Sequence, residues 1–332
     1  MNRRQFIQTT GIAVAGVTAG KLNAESGPEQ IIDVHQHLSY SGRSDEQLLA
    51  HQLAMGVTLT ILLPAGRPVA MDSTHNGSSN GLAAGISTSD AAMTFAEAHP
   101  TSYRCFANEV ADLPDAPKII RPFLQHGAIG IGEQKFSVQA DSSHIEAIAE
   151  LAMEFNVPVL LHFQHGMYNH GLDRFHKILE KYPTVNFVGH AQTWWGNIDK
   201  NHKQEVMYPV TAVTPGGISD LLLTNYPNMF GDLSAGSGLN SMIRDEDQAR
   251  GFLARHQDKL LFGSDCNDTI GRGPGCQGAQ ILAAIRRLSP DERAQRKILH
   301  DNAKQLLRVE SLSEKGVTEK FVENVIGPDR FD

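Results

Sequence analysis

Ile31-Ile32-Asp33-Val34-His35-Gln36-His37 is a short apolar run that closes on two histidines, and four later stretches repeat the design. They are Ala128-Ile129-Gly130-Ile131-Gly132-Glu133, Val157-Pro158-Val159-Leu160-Leu161-His162, Val185-Asn186-Phe187-Val188-Gly189-His190 and Leu260-Leu261-Phe262-Gly263-Ser264-Asp265. A strand buried on both faces reads as a near-continuous apolar run, and barrel enzymes carry their chemistry at the carboxyl ends of such strands. His35, His37, Glu133, His162, His190 and Asp265 are all metal-ligand types, delivered in that position. Runs at 30–36, 57–63, 102–107, 128–136, 157–163, 185–190, 228–233 and 259–265 predict eight strands. Helix-like segments between them make a closed parallel (β/α)8 TIM barrel the expected fold. A doubly wound open sheet is the alternative; it would spread the ligand types along an edge, whereas closure gathers them.

Between the strands, Ser44 to Met55 predicts a helix with Asp45 and Glu46 in its first turn and an apolar side of Leu48, Leu49, Leu53 and Met55. Ser143 to Phe155 predicts another, with Ser143 and Glu146 spaced as a capping box ahead of Ile148, Leu151 and Met153. Asp173 to Tyr182 stops before a proline. Two connections run long, 64–89 with His75, and 191–215 with Trp194, Trp195, His202 and Tyr208. Each follows a strand and should overhang the catalytic face.

The 332 residues are 41% hydrophobic, enough for one large core. A net charge of −8, spread over mixed-sign segments, offers no basic surface for nucleic acid. No apolar run is long enough to span a membrane in the mature chain. Met1-Asn2-Arg3-Arg4-Gln5-Phe6, a weakly apolar stretch from Gly11 to Ala19 and a small residue at Ala24 resemble a twin-arginine export signal. Residues 1–24 are therefore expected to be a leader that engages the twin-arginine machinery. They leave a 29–310 barrel, a polar tail at 311–332 and a periplasmic or extracellular destination. Cys105, Cys266 and Cys276 are odd in number and lack CxxC spacing, so no disulfide framework is expected. Cys266 reads as a small apolar residue beside a strand end.

His35 and His37 lie two apart on a strand and so point to one side, where they can share an ion. Asp265 can ligate through one oxygen and take a proton through the other. Glu133 and Lys135 share a face of the fourth run, as ligand and neighbour or as a buried ion pair. Arg67, Arg104, Lys135, Trp194 and Trp195 are the candidate substrate contacts.

The ordered set His35-x-His37, His162, His190 and Gly263-Ser264-Asp265, with Ile298-Leu299-His300-Asp301-Asn302-Ala303 near its end, resembles the amidohydrolase superfamily, in its amidohydrolase-related branch. The resemblance runs from about Ile31 to Leu307 and implies a metal-dependent barrel, a hydrolase or a non-oxidative decarboxylase. It implies that His35, His37, His162 and Asp265 hold a divalent metal, one ion or two, with zinc the first expectation. It makes Asp265 the proton carrier and His190 a second-metal ligand or general acid/base. Glu133, or a carbamylated Lys135, would bridge two ions. The implied substrate is a small organic ester, lactone or amide. A ligand-binding barrel without catalysis would be expected to lack one of these groups. Composition leaves a homo-oligomer open.

Overall fold

The structure, a computed structural model, describes residues 29–309 apart from residue 79; the expected leader at 1–24 and the expected tail at 311–332 lie outside the described residues. Eight parallel strands follow in chain order: β1 (Ile32–Gln36), β2 (Leu59–Leu62), β3 (Tyr103–Cys105), β4 (Ile131–Gln134), β5 (Val159–His162), β6 (Phe187–His190), β7 (Met229–Asp232) and β8 (Leu260–Leu261). Each lies inside one of the eight predicted runs, trimmed at its ends. They form two arcs, β1-β2-β3 and β4 through β8. The first seam is sewn by a parallel bridge between Ala107 and Ile131, with Ile129 N donating to Cys105 O at 3.0 Å. Val34 N donating to Phe262 O and Asp265 N donating to His35 O sew the second. The sheet therefore closes, and the fold is the (β/α)8 barrel rather than the open sheet.

Helices wrap the outside: α1 (Asp45–Met55), α2 (Ser89–Ala98), α3 (Ala116–Gln125), α4 (Ser143–Phe155), α5 (His176–Lys181), α6 (Gln192–Gly196), α7 (Ile218–Asn225), α8 (Ala235–Ile243), α9 (Glu246–His256), α10 (Gln277–Leu288), α11 (Glu292–Arg296) and α12 (Asn302–Leu307). A π-helical turn at Lys297–Asp301 joins the last two. Two helix readings change in detail. The capping box sits on α1, where Ser44 Oγ accepts from Gln47 N and the Gln47 side chain accepts from Ser44 N. α4 instead starts after Ser142, with no side-chain cap. Leu53 and Met153, assigned to apolar faces, are exposed, while His51 and Gln52 turn inward. Gln52 is drawn in by the buried Asp33, to which its Nε2 donates at 3.0 Å. The 173–182 helix is a 3₁₀ turn at Leu172–Arg174 followed by α5.

Below the barrel mouth, α7 and α9 are joined by Asp220, which accepts from His256 at 2.6 Å and Arg255 at 3.2 Å. Burial pushes the Asp220 carboxyl up, but the His256 bond and the Gly216 amide win, and it is pulled down to about 2. A depressed carboxyl contributes stability above its unfolded pKa that is lost as pH falls through the folded value. Asp220→Asn is thus expected to cost about 1–2 kcal/mol near neutrality, after allowance for solvent screening. Urea midpoints should show the gap to the parent closing as pH drops from about 4 toward 2; a gap independent of pH would mean lost packing rather than lost charge.

Candidate metal centre

Six of the predicted residues meet at the carboxyl ends of the strands. His35 Nε2 and His37 Nε2 are 3.2 Å apart, and Asp265 Oδ1 lies 3.3 Å from the second and 3.9 Å from the first. Glu133 Oε2 approaches the same two nitrogens at 3.8 and 3.9 Å. Donor atoms on one tetrahedral ion with bonds of about 2.0–2.2 Å stand roughly 3.3–3.6 Å from one another. His37 Nε2 keeps that spacing to His35 Nε2 and Asp265 Oδ1, at 3.2 and 3.3 Å, while the His35–Asp265 edge at 3.9 Å and the Glu133 edges at 3.8 and 3.9 Å are a few tenths of an ångström longer.

Hydrogen bonds behind the histidines set their tautomers. His37 Nδ1 reaches Leu63 O at 2.6 Å, and a carbonyl can only accept, so the proton is on Nδ1 and the Nε2 lone pair faces the site. The Asp232 carboxylate does the same for His35, with Nδ1 at 2.7 Å. Asp232 Oδ2 also accepts from Ser234 Oγ at 2.7 Å and lies 3.2 Å from His190 Nδ1. Such outer partners orient a metal-binding imidazole and raise its basicity. Gly263 makes the meeting of Asp232 and His35 feasible: a Cβ there would stand 2.5 Å from Asp232 Oδ1 and 2.9 Å from His35 Cβ.

His162 and His190 stand on the other side of Glu133. His162 Nδ1 lies 2.5 Å from Glu133 Oε1, and His190 Nε2 lies 3.8 Å from the same oxygen. At 2.5 Å the first contact is a hydrogen bond, shorter than two donors on one ion keep. A second ion between these three would have to displace that proton. Burial first, and Lys135 next, push the His162 imidazole down to about 4, so it is neutral. His190 goes the other way. Burial works against its charge, but Asp232 and Asp265 push it up to about 10. Burial would raise Asp265 and Glu133 too. His35, His190 and His37 hold the first well below the usual carboxylate range; Lys135 and His162 do so for the second. Two ionised carboxylates buried among imidazoles are a setting in which a cation is strongly stabilising.

The Glu133 and Asp265 carboxylates outweigh the burial of Lys135 and push its ammonium pKa up, and its Nζ lies 5.8 Å from the centroid of the Tyr168 ring. Arg67 sits above β2 with its guanidinium half exposed and paired to Glu109. Arg104 is a correction. Its guanidinium folds back to Pro100 O and Tyr103 O, at the amino end of β3 and away from the site. Trp194 and Trp195 are also corrections, since both are fully buried on α6, which begins directly after β6. The Trp194 ring lies so close over Gly189 that a Cβ there would fall 2.4 Å from it, and Trp195 Nε1 donates to Asp232 O at 2.8 Å. They support the floor of the site and touch no opening.

Three participants were not anticipated. Asp232 ends Met229-Phe230-Gly231, an apolar run like the other five and a signal that could have found it. Ser234 follows it. Tyr40, edge-on to His37 with ring centroids 5.2 Å apart, has its hydroxyl held well above the ordinary phenol value by Asp265, burial and Glu133. A cleft of about 470 Å³ is lined by Gln164, Tyr168, Asn169, Thr193, Asn197 and Gln204 and by none of the six converging residues. His162 Nε2 meets Gln164 Oε1 at 3.0 Å on its wall.

No protein-family model matches the chain, and no curated protein matches it. Solved structures do. An uncharacterised TIM-barrel protein from Bordetella bronchiseptica aligns with TM-score 0.58 at 15% identity, over 84% of this chain and 98% of that one. A structure from Acinetobacter baumannii described as a probable 2-pyrone-4,6-dicarboxylic acid hydrolase, with citric acid bound, gives 0.52 at 14%, covering 84% and 99%. The 5-carboxyvanillate decarboxylase of Novosphingobium aromaticivorans, complexed with manganese and 4-hydroxy-3-methoxy-5-nitrobenzoic acid, gives 0.50 at 12%, covering 80% and 81%. At these identities the likeness is one of fold.

Proposed function

We propose that the protein is a metal-dependent hydrolase acting on an ester, lactone or amide of a small organic molecule. The observation that carries this is the convergence of His35, His37, Glu133 and Asp265, with both imidazole tautomers fixed from behind. These four would hold the ion; two nitrogens and two oxygens suit zinc, manganese or iron. A divalent ion in such a site polarises a carbonyl and makes water acidic enough to serve near neutrality. The side chains would handle the protons. Asp265, the member most open to solvent, would take a proton from water and pass it to the leaving group, with His190 Nε2 3.5 Å from its Oδ2 as relay. Asp232 would keep that imidazole oriented, and Tyr40 and Lys135 would face the substrate.

Decarboxylation is the second reading. It is supported by the high imidazole pKa of His190, which suits it to protonating carbon, and by the manganese-bound decarboxylase among the structural neighbours. The ammonium of Lys135 could pair with a substrate carboxylate. We also propose that Arg3 and Arg4 direct twin-arginine export of the folded, metal-loaded chain.

Metal analysis of protein purified without added metal, on the parent and on Glu133→Ala, tests the site first. One ion held by the parent, with affinity falling about 10–100-fold in the variant, is the expected result. Affinity unchanged in the variant would remove Glu133 from the ligand set. No uptake by the parent, even on reconstitution, would sink the metal reading. Assaying the loaded parent on ester, lactone and amide panels, alongside carbon dioxide release from hydroxybenzoates, then separates the two chemistries.

A further inference from the structure

Three further side chains of metal-ligand types meet one residue beyond Asp265, outside the centre described above. Cys266 Sγ and Cys276 Sγ are 3.8 Å apart, and His51 Nε2 is 3.4 Å from Cys276 Sγ. All three donor atoms lie within 4.8 Å of one another. The residues are buried at 3%, 0% and 0% exposure, so the group is closed to bulk solvent. Three separate parts of the chain supply them. Cys266 leaves β8 directly after Asp265, Cys276 caps the amino end of α10, and His51 faces inward from α1. One turn along α1, Met55 brings its Sδ to 3.9 Å from Cys276 Sγ, while Asp268 Oδ2 lies 3.8 Å from His51 Nε2.

These separations can be compared with those around an ion. With metal–sulfur bonds of about 2.3 Å and metal–nitrogen bonds of about 2.0–2.1 Å, tetrahedral geometry sets sulfurs roughly 3.8 Å apart and sulfur to nitrogen roughly 3.5 Å apart. The observed edges are 3.8 and 3.4 Å. A disulfide would require the sulfurs at about 2.05 Å, which leaves the inward-facing imidazole unaccounted for.

We propose that His51, Cys266 and Cys276 form a second, thiolate-rich metal site for a d¹⁰ cation, zinc or copper(I). The two thiols release their protons to solvent when the ion binds. Asp268 is placed to complete the set for zinc and Met55 for copper(I), following the hardness of each donor. The ion ties α1 to both ends of the 266–276 segment and, through the peptide bond to Cys266, fixes the position of Asp265. Its role is structural.

Cobalt(II) titration of the full-length, reduced protein tests this, because the His35–His37 centre has no sulfur ligand. The expected result is a near-ultraviolet sulfur-to-cobalt charge-transfer band that zinc abolishes and that is lost in Cys276→Ser, while cobalt binding at the other centre persists. If copper(I) is the natural ion, the cobalt band is weak or absent and the protein strips copper(I) from a bicinchoninate complex, with Cys276→Ser losing that capacity; this also supports the site. The parent spectra decide the matter even if the variant misfolds. Neither ion binding through sulfur, or a Cys266–Cys276 disulfide in protein isolated without reductant, overturns the proposal.

Discussion

Asp265→Asn should lower turnover by about a thousandfold, within the 10²–10⁴ range for removing a general acid/base, while most of the metal stays bound. The side chain faces two ways. Oδ1 lies 3.3 Å from His37 Nε2, on the side of the proposed ion, and Oδ2 lies 3.5 Å from His190 Nε2. Its backbone is pinned by donation from Asp265 N to His35 O at 2.8 Å, in a left-handed conformation with φ 41°. An asparagine can keep that backbone, since Asn tolerates positive φ well. It can also keep a carbonyl oxygen toward the ion. What it cannot do is accept a proton. Measuring kcat and metal content on the same preparation separates the two roles. Turnover within tenfold of the parent, at full metal loading, would end the case for Asp265 as proton carrier. A parallel collapse of metal content would make it chiefly a ligand.

The eight strands were readable because a closed parallel sheet buries both faces of every strand, so each appears as a β-branched or aromatic run that turn residues cut short. The six converging residues were readable for the same reason: polar residues closing an apolar run stand out. Asp232 breaks no rule, yet three residues of Met-Phe-Gly make a thin run, and its partner His35 is 197 positions away. No local pattern encodes that meeting. The tryptophans failed for a different reason. Periodicity gives the spacing of Trp194 and Trp195 but not that α6 starts directly after β6 and turns both rings into the core. Leu53 failed similarly, because the buried carboxylate of Asp33 recruits Gln52 from the same helix turn. Tertiary hydrogen bonding overrode the apolar pattern there. The Cys266–Cys276–His51 cluster was invisible to spacing rules, which look for CxxC, since its members come from three elements.

Replacing Asp232 should be nearly as damaging as replacing a ligand, although Asp232 lies behind the proposed ion. Asp232→Ala is expected to weaken metal binding about 10–100-fold and to cost the apo protein about 3–5 kcal/mol. The stability term arises because the carboxylate, 0% exposed, serves His35 Nδ1, His190 Nδ1, Ser234 Oγ and Ser234 N at once. Removing it strands His35 Nδ1 and Ser234 N in a dry interior and leaves His190 Nδ1 and Ser234 Oγ, 3.0 Å apart, only each other. The affinity term has a separate origin. Without an obligate acceptor at Nδ1, His35 is free to carry its proton on Nε2, where it blocks ligation. Asp232→Asn tests this directly. Its amide nearly conserves volume but can present an N–H to His35 Nδ1, which would favour the wrong tautomer. The asparagine variant should therefore lose as much metal affinity as the alanine variant while losing less stability. Chelator competition gives the first quantity and urea unfolding of metal-free protein the second. If the two quantities fall in proportion across both variants, Asp232 acts only as a packing element. If affinity falls alone in Asp232→Asn, the carboxylate is the group that sets the His35 lone pair toward the ion.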